Sequence, residues 1–328
     1  MKYNLNEETF FVKELFKPEL KSKGRYYYYI LEKKGISHKQ ILKRLPRDSL
    51  FCGIKDKNAT TEQWFCSKQP IEEINEEKIR VIFKGRSGEK LFIGKHKGNR
   101  FKILVELNEK EEKEIKKVNW KKEFVANYFG KQRFDERVDE FCEKLEKPDY
   151  ESALKMFLCT SSKFDTEKSS EIKKEIFEKW NKWKLLEESE IIPESKKPIF
   201  VFLEKEKNFE KAFDFVEQRS LKQMLKACQA KRWNKILFGK VSEVKNNNNN
   251  TRATRAIKKN ISIKATTFEK KFGLRNLKRD SYFVARKLKL KKSIGNKYWI
   301  IFELRKGIYA TTFLKYLEEK LDLVFKQD

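Results

Sequence analysis

The stretch FCGIKDKNATTEQWFC, residues 51–66, places two apolar segments on either side of a polar centre that contains a glycine. Its central acid, Asp56, lies between Lys55 and Lys57. Two strands joined by a loop have this pattern, and an aspartate in such a loop often bonds its own backbone. Gly53 would give the backbone extra freedom ahead of the acid. The flanking lysines favour the charged carboxylate that a nucleophile or base requires. Asp56 is therefore either a turn residue or a catalytic carboxylate.

The whole chain is strongly basic. It has 328 residues and a formal net charge of +28, which favours nucleic acid or an acidic membrane surface as a partner. No apolar run approaches the roughly 20 residues of a membrane-spanning helix. The first residues lack a signal-peptide core, so we expect a cytoplasmic protein. Five cysteines without a CxxC pair predict reduced, buried thiols.

Histidine is scarce, with only His38 and His96 in the chain. Neither a zinc site nor a histidine-based triad is easily assembled from two distant histidines. An enzyme with this sequence would therefore depend on carboxylates, lysines or tyrosines.

Strand-like and helix-like segments divide the chain. Period-two apolar segments near the N-terminus predict a strand-rich region, in which IRVIF, LFIGKH and RFKILVEL form a meander. Near the C-terminus, KYWIIFEL predicts one more strand before a final helix. The block between them is mostly helical in pattern. We predict an α+β protein with a sheet domain at residues 1–148 and 285–328, interrupted by a helix-rich domain at 149–284. An asparagine-rich flexible loop is expected at 245–251.

Residues 251–306 hold eighteen lysines and arginines against three acids. Within them, ARKLKLKK alternates lysines with leucines, which predicts a strand with an ammonium row on one face and a packed opposite face. Such a row either contacts RNA phosphates or protects an edge strand from pairing. The surrounding charge has the same sign, so the phosphate interpretation is favoured for three lysines, Lys287, Lys289 and Lys291.

Several blocks, in order along the chain, resemble the TruD family of tRNA pseudouridine synthases. GIKDKNATTEQ matches that family's G-x-K-D-[KR]-x-A-x-T-x-Q signature, and NYFGKQRF at 127–134 matches N-Y-F-G-x-Q-R-F. RKGIYATTFLKYL at 305–317 is similar to the closing block, while GNRF and QAKRWNKIL are weaker matches. The resemblance implies a pseudouridine-synthase sheet domain, mixed and mostly antiparallel, with a helix-rich insertion.

The resemblance also implies a function. The expected reaction is the isomerisation of uridine to pseudouridine in tRNA, by analogy at uridine 13, without cofactor or metal and by a monomer. The family chemistry needs one aspartate and a flipped base, which matches Asp56. Whether the carboxylate attacks the sugar, attacks the base or removes the C2′ proton stays open. A non-catalytic RNA-binding protein or tRNA chaperone that retains the fold is the alternative.

Further site residues are implied by the same blocks. Phe129 would stack on the uracil, Asn127 would offer its amide, and Tyr309 would line the pocket. Phe10 matches an N-terminal family phenylalanine, although Phe10 and Tyr309 are equally compatible with a core. Lys55 and Lys57 are candidate contacts for the RNA backbone.

Three departures from the family pattern accompany these matches. Ala126 replaces a proline and Asp135 a glycine. The family lysine that pairs with the aspartate is replaced by Asn4, with Lys2 as the nearest substitute.

Overall fold

The computed structural model describes residues 1–130, 134, 137–161, 165–247 and 260–325. These residues form two compact units. The sheet unit comprises residues 1–127 and 282–328, and the helical unit comprises 128–281. Arg133, Asp135 and residues 248–251 of the expected asparagine loop lie outside the described residues.

Strands dominate the sheet unit. They are β1 (Lys2–Tyr3), β2 (Phe10–Glu14), β3 (Tyr26–Lys34), β4 (Leu50–Phe51), β5 (Thr60–Ser67), β6 (Ile74–Asn75), β7 (Ile79–Ser87), β8 (Gly98–Glu106), β9 (Val125–Ala126), β12 (Tyr282–Phe283), β13 (Arg286–Lys292) and β14 (Lys297–Arg305). Its helices are α1 (His38–Leu42), α2 (Glu109–Lys117) and α11 (Ala310–Phe325), with a 3-10 turn at Trp120–Lys122.

Ten of these strands form one sheet in the order β13-β14-β8-β2-β5-β3-β7-β6, with β1 paired to β8 and β4 to β5. The pairing of β2 with β5 is parallel, and the other pairings in this sheet are antiparallel. Strands β9 and β12 form a separate antiparallel pair. The α+β class and the mixed, mostly antiparallel sheet are confirmed.

Period-two alternation determines which face of this sheet is buried. Phe101 and Phe302 on neighbouring strands face the same core as Phe313 and Leu317 of α11. We call this side of the sheet the core face. Gly98 lies where β8 meets β14, and a Cβ there would be 2.1 Å from the Leu304 carbonyl oxygen. A glycine is therefore required for these strands to approach each other.

One predicted strand is absent. LFIGKH, residues 91–96, forms a turn rather than the middle of a meander. The Gly94 N–H donates to the Cys52 carbonyl at 2.7 Å, so this backbone bonds the loop after β4 instead of a strand partner. Tertiary pairing has overridden the local apolar pattern.

The helical unit begins earlier than predicted. It contains α3 (Val138–Glu146), α4 (Tyr150–Cys159), α5 (Glu167–Glu178), α6 (Trp183–Glu187), α7 (Pro198–Glu206), α8 (Phe209–Ala212), α9 (Gln218–Asn247) and α10 (Thr267–Lys271), 3-10 turns at Glu194–Lys196 and Phe213–Phe215, and the pair β10 (Asn260–Ile263) and β11 (Leu277–Asp280). Phe141 of α3 is fully buried in this unit's core. The boundary expected at 148/149 therefore falls between Asn127 and Tyr128.

A disulfide corrects the expectation of five reduced thiols. Cys142 of α3 is bonded to Cys228 of α9, across 86 residues of sequence. Cys52, Cys66 and Cys159 are free. The pairing could not be predicted because only the packing of α3 against α9 brings the two cysteines together.

Candidate active site

Asp56 lies in the loop between β4 and β5, and its side chain is exposed. Its Oδ1 accepts a hydrogen bond from the Asn58 N–H at 3.0 Å, so the predicted turn is confirmed. Ala59, directly after the turn, is fully buried, and the Thr60 hydroxyl donates to the Glu7 carbonyl at 2.6 Å. The loop therefore presents a carboxylate to solvent from a well-anchored backbone.

Lys33 of β3 lies beneath this loop. Its side chain is almost completely buried, and its ammonium donates to the Asp56 backbone carbonyl at 2.5 Å. Burial lowers the pKa of Lys33 to about 8, against the opposing influence of Asp56. At neutral pH the ammonium is still mostly charged, so a fixed cation lies against the backbone of Asp56.

Lys55 points away from the exposed side of the loop. Its ammonium pairs with the Glu14 carboxylate at 2.6 Å, and both side chains are buried. The other oxygen of Glu14 accepts from the Trp64 N–H at 3.1 Å. The expected phosphate contact by Lys55 does not fit this geometry, because its ammonium is already used inside the sheet unit. Lys57, in contrast, is exposed.

Three potential metal ligands also meet here. One ligand atom from each of Glu14, Cys52 and His96 lies within 4.8 Å of the other two. Burial raises the pKa of Cys52 to about 12 and lowers the pKa of His96. A protonated thiol and an ammonium at the Glu14 carboxylate both oppose a metal ion at this position. We therefore interpret the cluster as structural support for Lys55.

Two motif residues of β5 have polar atoms without a partner. The Thr61 hydroxyl and the Gln63 amide are buried and make no hydrogen bond within the described residues. Both belong to the T-x-Q part of the loop signature. Gly53, on the other side of the loop, does not adopt a positive φ. A Cβ at Gly53 would lie 3.6 Å from Cε1 of His96.

The other candidate residues of the sheet unit differ in exposure. Phe10 is buried and stacks on Phe101 with ring centroids 6.2 Å apart, which is the environment of a core residue. Asn127 is buried at the end of the first segment. Tyr309 is half-buried and directly precedes α11.

Phe129 belongs to the helical unit. Its backbone N–H donates to the Asn234 side chain at 2.8 Å, and the Asn234 amide donates back to its carbonyl at 3.0 Å. The Arg279 guanidinium lies 4.1 Å from the centre of its ring, and Trp233 meets it edge-on. The ring is thus held in a fixed position, with a cation over one face.

The predicted lysine strand is β13, at one edge of the sheet. Leu288 and Leu290 pack on the core face, and Lys289 and Lys291 are exposed, so the expected alternation is confirmed. Lys287 differs because the pairing of β13 with β14 shifts between Arg286 and Lys289, and its ammonium lies 3.3 Å from the Glu303 carboxylate.

The family model for tRNA pseudouridine synthase D (TruD) matches residues 4–287 of the chain. This chain belongs to the TruD family.

Relatives of the TruD chain agree with this assignment. A protein assigned as tRNA pseudouridine synthase D 1 in Methanococcus maripaludis is 26% identical over 74% of the chain and 67% of its own length. The tRNA pseudouridine synthase D of Aquifex aeolicus is 29% identical over 70% of the chain, and the chain spans only 64% of that relative. A crystal structure assigned as TruD from Methanosarcina mazei is 18% identical, with a TM-score of 0.63 over 94% of this chain and 92% of that one. None of the helices in the described part of the TruD chain has both the length and the apolar composition needed to cross a membrane.

Sequence reasoning missed Lys33. We considered Lys2 as the cation for Asp56, but Lys2 pairs opposite Glu106 in the β1–β8 ladder. The available signal was the alternation of β3, in which Lys33 takes the inward position after Tyr29 and Leu31. A lysine at a core position of a strand indicates a buried cation with a specific acceptor.

Proposed function

We propose that this TruD chain is an isomerase that converts uridine to pseudouridine in tRNA, at uridine 13. The bond between C1′ and N1 breaks, the uracil turns, and a bond from C1′ to C5 forms. The C5 hydrogen leaves as a proton, and N1 takes up a proton from solvent. A stacked base is out of reach, so the enzyme must first flip it out of the helix. Substrate and product contain the same atoms, and the proposal includes no cofactor or metal.

One observation carries the proposal: the Asp56 carboxylate is exposed, while the buried lysines Lys33 and Lys55 anchor the backbone that carries it. Lys33 binds the Asp56 carbonyl, and the neighbouring residue Lys55 is tied to Glu14. Fixing the backbone reduces the motion of the carboxylate before the substrate arrives, which is a recognised source of rate enhancement. Asp56 is therefore the reacting carboxylate, whether it acts on C1′, on the base or on the C2′ proton.

The remaining roles follow the family resemblance. Asn127 supplies an amide to the flipped uracil, Phe129 stacks on it, and Tyr309 lines the pocket. We leave Phe10 as a core residue because its ring packs on Phe101. A cytoplasmic location and a monomeric state belong to the same proposal.

Release of tritium from C5 tests the chemistry. With an unmodified tRNA transcript labelled at uracil C5, the wild type should release tritium. Asp56→Asn, which keeps the shape of the side chain, should release none while still binding the RNA. Asn58→Ala is the matched control, because it retains the backbone N–H that bonds Asp56 and should stay active.

A second transcript tests the position. Replacing uridine 13 by cytidine should abolish tritium release, and release from that transcript would place the reaction at another uridine. Tight tRNA binding by the wild type without any release would instead identify an RNA-binding protein that retains the fold.

A further inference from the structure

The side of the sheet opposite the core face carries aromatic rings and lysines. In β14, Trp299 and Ile301 alternate with the buried Tyr298, Ile300 and Phe302. Register places Ile301 opposite both Lys102 and Lys289, and Phe11 opposite Lys102. We call this surface, on β13, β14, β8 and β2, the outer face. It comprises Phe11, Lys102, Lys289, Lys291, Trp299 and Ile301.

The aromatic residues of the outer face form a compact group. Phe11 and Trp299 meet edge to face, with ring centroids 5.6 Å apart. The Lys102 ammonium lies 4.2 Å from the Trp299 ring centre and 5.2 Å from that of Phe11. All three residues are partly exposed. Two rings and a cation are thus held together at the surface of rigid strands.

The charges of the outer face are not compensated. Within the described residues, no carboxylate pairs with Lys102, Lys289 or Lys291. The adjacent row of the same face differs, because Lys13 pairs with Glu62 and Arg100 with Glu303. Edge protection alone would not require the unpaired Lys102, which lies two strands in from β13.

From this arrangement we propose that the outer face binds a single-stranded segment of the RNA substrate. Unpaired bases stack on Trp299 and Phe11, while their phosphates contact Lys102, Lys289 and Lys291. Aromatic platforms with adjoining cations are a general solution for binding single strands without sequence preference. RNA as the partner rests on the proposed function, but the outer face does not include the Asp56 loop.

A second copy of the chain fits this surface less well. A symmetric dimer through the outer face would bring the same unpaired ammonium groups toward each other. Like charges that meet across an interface cost several kcal/mol. A polyanion such as RNA would instead be attracted by each of these ammonium groups. We therefore propose RNA, and not a second copy of the chain, as the ligand of the outer face.

Two pairs of variants of the full chain test the proposal. Trp299→Leu keeps an apolar side chain without a stacking surface, and Trp299→Phe keeps a ring. Lys289→Gln with Lys291→Gln removes two charges, and Lys289→Arg with Lys291→Arg retains them. The probes are a fluorescein-labelled ten-nucleotide oligouridylate and a ten-base-pair RNA duplex, followed by fluorescence anisotropy over a range of salt concentrations.

The expected results separate stacking from charge. Trp299→Leu should weaken oligouridylate binding on the order of 10-fold and leave duplex binding unchanged, while Trp299→Phe should bind nearly as well as the wild type. The double glutamine variant should lower the slope of log K against log salt by about 1.4, and the double arginine variant should not. Both lysines are exposed, so these variants test the proposal even if Trp299→Leu is unstable.

Three outcomes would overturn the proposal. They are wild-type oligouridylate binding by both Trp299→Leu and the double glutamine variant, equal losses for the leucine and phenylalanine variants, and a dimer in sedimentation that Trp299→Leu dissociates. Asp56→Asn separates the two proposals, because it should abolish tritium release and leave oligouridylate binding unchanged. A chain that bound oligouridylate through Trp299 but never released tritium would refute the proposed function alone.

Discussion

Replacing Lys55 by methionine should damage the sheet unit far more than the same change at Lys57. The two lysines flank Asp56 equally in sequence. In the structure, Lys55 is buried against Glu14 at 2.6 Å, and Lys57 is exposed. Lys57→Met is therefore a matched control, with the same chemistry in a different environment.

The magnitude follows from the partner that Lys55→Met leaves behind. Glu14 is completely enclosed, and after the substitution its contacts within the described residues are the hydrogen bond from the Trp64 N–H and His96, whose Nδ1 lies 3.8 Å away and whose pKa is lowered by burial. Removing one member of a buried ion pair typically costs about 3–5 kcal/mol, because the remaining charge has no counter-ion. We expect this loss in the free energy of unfolding for Lys55→Met and no measurable change for Lys57→Met.

Equilibrium unfolding in urea, followed by circular dichroism, measures these free energies, and hydrogen exchange in β5 assigns the loss to the sheet unit. The two units need not unfold together, so the local measurement is essential. Glu14→Gln combined with Lys55→Met completes the test. This double variant removes both charges of the pair and keeps an acceptor for the Trp64 N–H, so it should recover most of the lost stability.

Two results would refute this reasoning. Equal losses for Lys55→Met and Lys57→Met would mean that the ion pair contributes nothing specific. A double variant no more stable than Lys55→Met would mean that the stranded Glu14 charge is not the cause of the loss.

Three further predictions concern Lys33, Asn234 and the disulfide. As pH rises through about 8, Lys33 loses the proton that makes it a cation, so kcat/KM for tritium release should fall there, whereas Lys33→Arg should remain level to higher pH. Asn234→Ala removes two hydrogen bonds to the Phe129 backbone and should lower the free energy of unfolding of the helical unit in urea by about 1–3 kcal/mol, and Asn234→Asp should lower it less because it keeps the acceptor. Reduction of Cys142–Cys228 should lower the same free energy by about 2–4 kcal/mol, and a variant with alanine at both positions should not respond to reductant.

Local patterns in the sequence predicted much of the fold. Period-two alternation identified β8, β13 and β14. These features succeed because they depend on neighbours within a few residues. The turn at Asp56 belongs to the same class, since its hydrogen bond spans two residues.

Features that depend on distant partners could not be read in this way. Whether residues 91–96 form a strand depends on which backbone lies beside them, and here the loop after β4 takes a hydrogen bond that a strand would need. The disulfide depends on how α3 packs against α9. The start of the helical unit depends on which core receives Phe141.

By itself, the sequence determined the family blocks, the alternating strands and the turn at Asp56, because each depends on residues that are close together in the chain. Only the tertiary structure decided what the lysines do. Lys57 is exposed, Lys55 is buried against a carboxylate 41 residues away, and Lys33 reaches the Asp56 carbonyl from another strand. A lysine is equally charged in each setting, and the difference comes from burial and from the acceptor that the fold places within reach of its ammonium group.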